Sequence, residues 1–196
     1  MMRVNEEEME TAAVEQLFKF SYQAHLSFRS KWTARWLTFL GKRYRKKGLL
    51  STAQQWLGMM YRKEIEEEVV PPVSIRWIDK QVGCGLFAEA PIPQMGFIGI
   101  YAGQVRRRKR RDRYNAYCFA LQIIEGESTP YIIDAREQGS WVRFINHSKT
   151  PNCTPHLATI EAQPYILLLA NQPIPKGAEL TYDYGDDYWA KRPPPV

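Results

Sequence analysis

Apolar and polar positions alternate in two different rhythms along this chain. Up to residue 70 the apolar side chains recur at helical steps. Leu17, Phe20, Ala24 and Phe28 fall three or four residues apart, and Trp32, Trp36, Leu40 and Tyr44 every four. Ser51 followed by Gln54 has the form of a capping box, opening a third helical run with Ala53, Leu57, Met60, Tyr61 and Ile65. Residues 1–70 contain no proline, and Pro71-Pro72 ends the pattern. From Val73 onward the rhythm shortens to β-branched and aromatic runs between Gly and Pro. "PPVSIRWI", "GLFAEA", "GFIGIYAG", "YNAYCFALQII", "PYIIDA", "PYILLLA" and "AELTYDYG" all predict strands. "PIPQMGFIGIYAG" (91–103) and "PIPKGAELTYDYG" (173–185) echo each other, but two copies are too few for a solenoid. The pattern predicts an N-terminal helical segment, 1–70, and a domain of many short strands, 71–193.

Composition narrows the classes. The 196 residues are 44% hydrophobic, enough to bury a core. A net charge of +6 suits an acidic or nucleic-acid-bearing partner without requiring one. Cys84, Cys118 and Cys153 are odd in number and form no CxxC pair, which points to a reducing, intracellular compartment. The start of the chain is acidic and lacks an apolar core, so no secretory signal peptide is expected. No apolar run approaches about 18 residues, so no membrane span is expected. His25, His147 and His156 have no metal-ligand spacing.

Two basic tracts stand out. "RRRKRRDR" (106–113) holds seven basic residues and one Asp. It fits a solvated loop or a nuclear address, with a nucleic-acid contact as a further reading. Arg29 to Lys47 carries eight basic residues and no acidic one, with Trp32 and Trp36 on one face. The first expectation there is a helix packing its tryptophans on the rest of the protein; membrane-surface or nucleic-acid binding comes second.

Four motifs carry chemistry: "VGCGLFA" (82–88), "IYAG" (100–103), "RFINHSKTPN" (143–152) and "ELTYDYGDDYW" (179–189). In the last, strand periodicity places Tyr182 and Tyr184 on one face. Taken singly each is bland: a glycine turn, a core tyrosine, a polar turn. In this order and spacing they resemble the SET-domain family of protein lysine methyltransferases, over roughly residues 73–193. "YGDDYWAKRP" resembles the minimal SET proteins of viral and bacterial, chlamydia-like, type. The resemblance implies an α+β fold of short strands in small sheets. Its C-terminal core would be knot-like, with the Asn-His-Ser segment threaded beneath the chain that carries the tyrosines. The helical segment 1–70 would precede it and serve substrate, dimer or partner binding.

The resemblance also implies S-adenosylmethionine as cofactor. Its pocket would be lined by Val82, Gly83, Cys84, Gly85, Tyr117, Arg143, Asn146, His147, Tyr184, Tyr188 and Trp189. Asn146 would hold the amino-acid end, and His147 the adenine through its backbone. Tyr184 would be the principal catalytic tyrosine and Tyr101 a second wall of the lysine channel. Tyr182 stands where the family carries Phe or Tyr. Lys149 stands where many nuclear members have a zinc-binding Cys, and no Cys follows Cys153, so no metal is expected. Closing the site would then fall to the rings of Tyr188 and Trp189 or to a partner subunit, which leaves a homodimer open. Ile100 and Gln104 depart from the Glu that many members carry.

The activity implied is methylation of lysine in histones or basic histone-like proteins with flexible tails, mainly one methyl group per lysine. A nuclear or chromatin-associated location would follow; a pathogen's bacterial effector would be exported to the host nucleus. The alternative is a catalytically weak SET module that binds chromatin or nucleic acid through basic surfaces, Arg106–Arg113 included.

Overall fold

Four small sheets, built from strands far apart in sequence, make up the computed structural model of the chain, which describes residues 1–190 and 192. In the first, the hairpin Val73–Asp79 with Gly83–Ala88 is extended by Met2–Val4, parallel to Val73–Asp79, and then by Glu7–Met9. The second is centred on the long strand Glu127–Gly139. Cys118–Ile124 and Gly103–Arg107 flank it antiparallel, and Ser21–Tyr22 and Ser27–Phe28 join in parallel. The third runs Cys153–Ile160, Gln163–Ala170, Phe97–Ile100. The fourth is a two-residue parallel pair, Asn146–His147 with Thr181–Tyr182.

The strand Gln163–Ala170 shows why an unbroken apolar run is needed. Its residues alternate between two cores, as the period of a strand dictates. Ile166, Leu168 and Ala170 enter the main core, whereas Leu167 and Leu169 face a second core with Leu57, Tyr61 and Ile65. Those three come from the helices Thr52–Met60 and Arg62–Glu66 and their junction. The sheet is therefore covered on both faces. The capping box forms as expected: the Gln54 N–H donates to Ser51 Oγ and the Ser51 N–H to Gln54 Oε1, each at 3.1 Å. The Gln54 amide then reaches Ile123 O and Thr159 Oγ1.

Several expectations are corrected. Residues 1–70 are not helical throughout. Helices cover Thr11–Phe18, Lys31–Lys46, Thr52–Met60 and Arg62–Glu66. Lys19, left-handed at φ 53, ends the first, so Phe20, Ala24 and Phe28 lie outside any helix despite their spacing. The strands between the helices complete sheets begun by later segments, and that long-range pairing overrides the local period. The strands Cys153–Ile160 and Gly103–Arg107 were not expected. The first holds Pro155, tolerated because the strand lies at a sheet edge. The second runs into the basic tract. "AELTYDYG" contributes only Thr181–Tyr182 as strand.

Both basic tracts also differ from expectation. Lys31–Lys46 buries Leu37 and Gly41, whereas Trp32 is exposed and Trp36 lies against Tyr131 at 5.1 Å. "RRRKRRDR" is anchored rather than loose. The Arg106 guanidinium donates to Asp112 (2.7 and 2.8 Å) and Asp134 (2.6 and 2.9 Å), and the Asp112 carboxylate also accepts the Lys109 N–H. This nearly buried pairing holds the Asp112 carboxyl below its ordinary range, the Arg106 bond being the main cause. Among the described residues, no helix is long and apolar enough to cross a membrane.

Candidate active site

The fourth sheet brings the two most distinctive motifs together. Asn146 lies opposite Thr181 and His147 opposite Tyr182, and the Ser148 N–H donates to Tyr182 O at 3.2 Å. Two strand residues are too few to hold such a pair alone. Side chains supply the rest. The Asn152 amide donates to Glu179 O at 2.7 Å and accepts the Thr181 N–H at 2.9 Å, copying a strand partner. Tyr184, beyond the strand, donates its backbone N–H to His147 Nδ1 at 3.2 Å and its hydroxyl to Ile145 O at 2.9 Å. His147 Nδ1 is thus tied to the backbone of the tyrosine segment.

Tyr184 and Tyr182 face each other with ring centroids 4.7 Å apart. Tyr101 belongs to the same buried cluster, its ring 5.1 Å from Phe119. Burial drives all three phenols well above the ordinary tyrosine range, and the neighbouring phenols add to the shift. At neutral pH they are uncharged hydroxyls, suited to orient a group and unsuited to act as phenolate bases.

Asn146 is held by its amide nitrogen, which donates to Cys84 O (3.2 Å) and Glu179 Oε1 (2.9 Å). Gly85 makes this approach possible. A Cβ there would come within 2.8 Å of Glu179 Oε1 and 3.1 Å of Asn146 Nδ2. The two glycines of "VGCGLFA" thus have separate roles. Gly83 alone has a positive φ, +83, at the hairpin end, whereas Gly85 lies within the strand. Val82 is half exposed, its N–H held by Asp79, and burial raises the Cys84 thiol.

Arg143 is more enclosed than a pocket-lining residue need be. Its guanidinium donates to Ala135 O and Arg136 O and lies over Tyr117 (4.3 Å), Phe20 (4.4 Å) and Phe144 (5.1 Å). Burial lowers its pKa. Phe20 comes from the N-terminal segment, which therefore packs directly behind the site. The short helix Asp186–Trp189 closes the other side: Tyr188 meets Tyr184 at 4.6 Å and Trp189 meets His147 at 4.9 Å. The Arg192 guanidinium covers Tyr188 at 3.9 Å.

Tyr101, Tyr182, Tyr184, Tyr188, Trp189, Asn146, His147, Cys84 and Gly85 thus lie around this junction, with Arg143 and Tyr117 packed together behind it, whereas Val82 and Gly83 stand at the exposed hairpin end. Glu179, Asn152, Phe20 and the Ile145 carbonyl were not expected. "RFINHSKTPN" and "ELTYDYG" contain Asn152 and Glu179, but nothing in their spacing marks one as a clamp and the other as an acceptor. Lys149 is exposed in the bend after the strand, and no three His, Cys, Asp or Glu among the described residues gather as a metal-ligand group.

The fold and this paired junction define a known class, and comparison bears it out. Residues 83–185, more than half of the chain, match the SET domain family, and the chain belongs to it. It is 32% identical over 113 residues to histone-lysine N-methyltransferase 2D of Homo sapiens, an alignment covering 54% of this chain and 2% of that protein. It is 38% identical over 104 residues to histone-lysine N-methyltransferase SETD1 of Drosophila melanogaster, covering 51% and 6%. It is 33% identical over 123 residues to N-lysine methyltransferase KMT5A-A of Danio rerio, covering 57% and 35%. The chain thus matches only a small part of each relative's length.

Proposed function

We propose that the chain is an S-adenosylmethionine-dependent protein lysine N-methyltransferase acting on histones or similar basic tails in chromatin, and adding mainly one methyl group. The observation that carries this reading is the convergence of the buried Tyr101 and Tyr182 and the half-buried Tyr184 on the Asn146–His147 junction. The residues present fit the cofactor. Gly83 faces open space where a Cβ would stand, Gly85 keeps the neighbouring strand close, and the buried Trp189 Nε1 has no hydrogen-bond partner among the described residues. Asn146, His147 and the 83–85 backbone would hold it, with the rings of Tyr188 and Trp189 alongside. When bound, it supplies an electrophilic sulfonium methyl.

The chain's own task is to present a neutral amine. Free lysine has a pKa near ~10.4, so only about one in a thousand is deprotonated at neutral pH. An aromatic, dehydrated channel disfavours the ammonium form. The neutral Tyr184 hydroxyl offers oxygen lone pairs to orient the amine, and the Tyr101 and Tyr182 rings restrict its approach. Rate enhancement would come from alignment and fixed dipoles rather than a covalent intermediate. Incubation with labelled S-adenosylmethionine and core histones, followed by mass-spectrometric mapping, tests the proposal. Label on lysine supports it; cofactor binding without transfer to any basic protein refutes it.

A further inference from the structure

We infer that Arg29–Lys47 and Arg106–Arg113 form one surface that binds single-stranded nucleic acid. The tracts are some sixty residues apart in sequence, yet the fold joins them. The Arg29 N–H donates to Val105 O, Trp36 lies against Tyr131, and Tyr131 stands opposite Arg107 in the sheet. The Arg108 N–H donates to Pro130 O at 2.9 Å, which fixes the tract beside the same strand. Beside the second tract runs an open groove whose lining includes Arg29, Lys109, Arg111, Tyr114 and Arg136. Of its three acidic residues, Asp112 and Asp134 are engaged by Arg106, leaving Glu137.

The chemistry of the surface selects its occupant. On the helix Lys31–Lys46, Trp32, Arg35, Trp36, Phe39 and Arg43 lie at helical steps on one exposed stripe, opposite the buried Leu37 and Gly41. Trp32 is 77% exposed, Phe39 63% and, in the groove beside the second tract, Tyr114 64%. Cations accompany the rings: Arg35 lies 5.9 Å from the Trp32 centroid and Arg113 4.5 Å from that of Tyr114. A helix lying in a membrane interface separates its apolar stripe from its charges. Here they interleave, and residues 29–47 contain no acid. A second copy of the chain would oppose like charges. Phosphates matched to the cations, with unpaired bases stacked on the rings, satisfy both features; a duplex keeps its bases stacked on each other. The inference does not depend on methyl transfer.

Fluorescence anisotropy of the full chain tests it. The probes are oligothymidine and oligouridine of about twenty nucleotides, a duplex of matched length, and phosphatidylserine vesicles. Single strands are expected to bind, with a log–log salt slope of about −0.7 per phosphate contact. The two oligomers distinguish DNA from RNA. Trp32→Ala with Phe39→Ala, and separately Arg107→Glu with Arg110→Glu, should each weaken binding about ten-fold or more. All four side chains are exposed, so thermal melts should be unchanged. The inference is overturned if single strands do not bind, if only one pair matters, if duplex binds as tightly and the ring variants are silent, or if vesicles alone depend on these residues.

Discussion

The Tyr184 hydroxyl donates to the Ile145 carbonyl at 2.9 Å, closing a contact between residues 39 apart in the chain. One phenol thus belongs both to the structural junction and to the proposed channel. Tyr184→Phe removes the hydroxyl and leaves that carbonyl without its donor, at a cost of about 1–2 kcal/mol in stability. Methyl transfer should fall by roughly a hundred-fold or more, while S-adenosylhomocysteine affinity, read by calorimetry, stays close to wild type. Wild-type turnover at equal cofactor occupancy would remove Tyr184 from the reaction.

Asn146→Ala removes the donor to Cys84 O and Glu179 Oε1. The lost hydrogen bonding should cost roughly 1–3 kcal/mol, or about five- to a hundred-fold in cofactor affinity. Titration calorimetry with S-adenosylhomocysteine measures it. Unchanged affinity would assign Asn146 to the junction alone.

Gly85→Ala inserts a methyl 2.7 Å from Ile78 Cδ1 and 2.8 Å from Glu179 Oε1. Both are ends of side chains that can turn away, so the fold should survive, at a cost of about 1–3 kcal/mol. Glu179 cannot turn without loosening Asn146. Cofactor affinity should therefore drop by about ten-fold, measured well below the variant's lowered melting temperature.

Raised tyrosine pKa values set the behaviour in alkali. Above about pH 10, where an unfolded tyrosine begins to ionise, folded Tyr101, Tyr182 and Tyr184 keep their protons. The folded chain then binds more protons than the unfolded one. The stability these groups contribute is full below that pH and is lost as pH rises above it. Denaturant midpoints should be insensitive to these groups between pH 6 and 9 and fall in stronger alkali, with a late step in phenolate absorbance coinciding with unfolding. Ionisation of all tyrosines in a single step near pH 10, with the fold intact, would contradict the burial argument.

Under the proposed function, Tyr182 would bear on product number. Its hydroxyl sits in a nearly closed aromatic cluster beside Tyr184. A lysine that already carries a methyl must turn it into that space. Displacing an ordered water there, at about 1–2 kcal/mol, would slow the second transfer by roughly ten-fold. Mass spectrometry of a peptide substrate should show mainly monomethyl-lysine early. Tyr182→Phe should shift products toward di- and trimethyl-lysine with the first step unimpaired. A wild type that runs straight to trimethyl-lysine would dissociate Tyr182 from this control.

The motifs of the candidate site were legible because each is short. Asn146-His147, the glycine at 85 and the tyrosines near the end occupy fixed local spacings, and the fold packs them side by side. The Ser51–Gln54 box was legible for the same reason: its reach is three residues. Residues 19–28 were misread because apolar spacing there serves burial behind Arg143 and Trp141, not a helix.

Sequence alone therefore determined which groups exist and which local turns, caps and strand textures they favour, because those depend on backbone geometry over a few residues. Tertiary structure decided which edges pair: Met2–Val4 with Val73–Asp79, Phe20 behind Arg143, Glu179 on Asn146, and one basic tract beside the other. Such contacts depend on which unpaired backbone and which apolar surface remain once the rest has folded. That is a property of the whole chain, and no local period carries it.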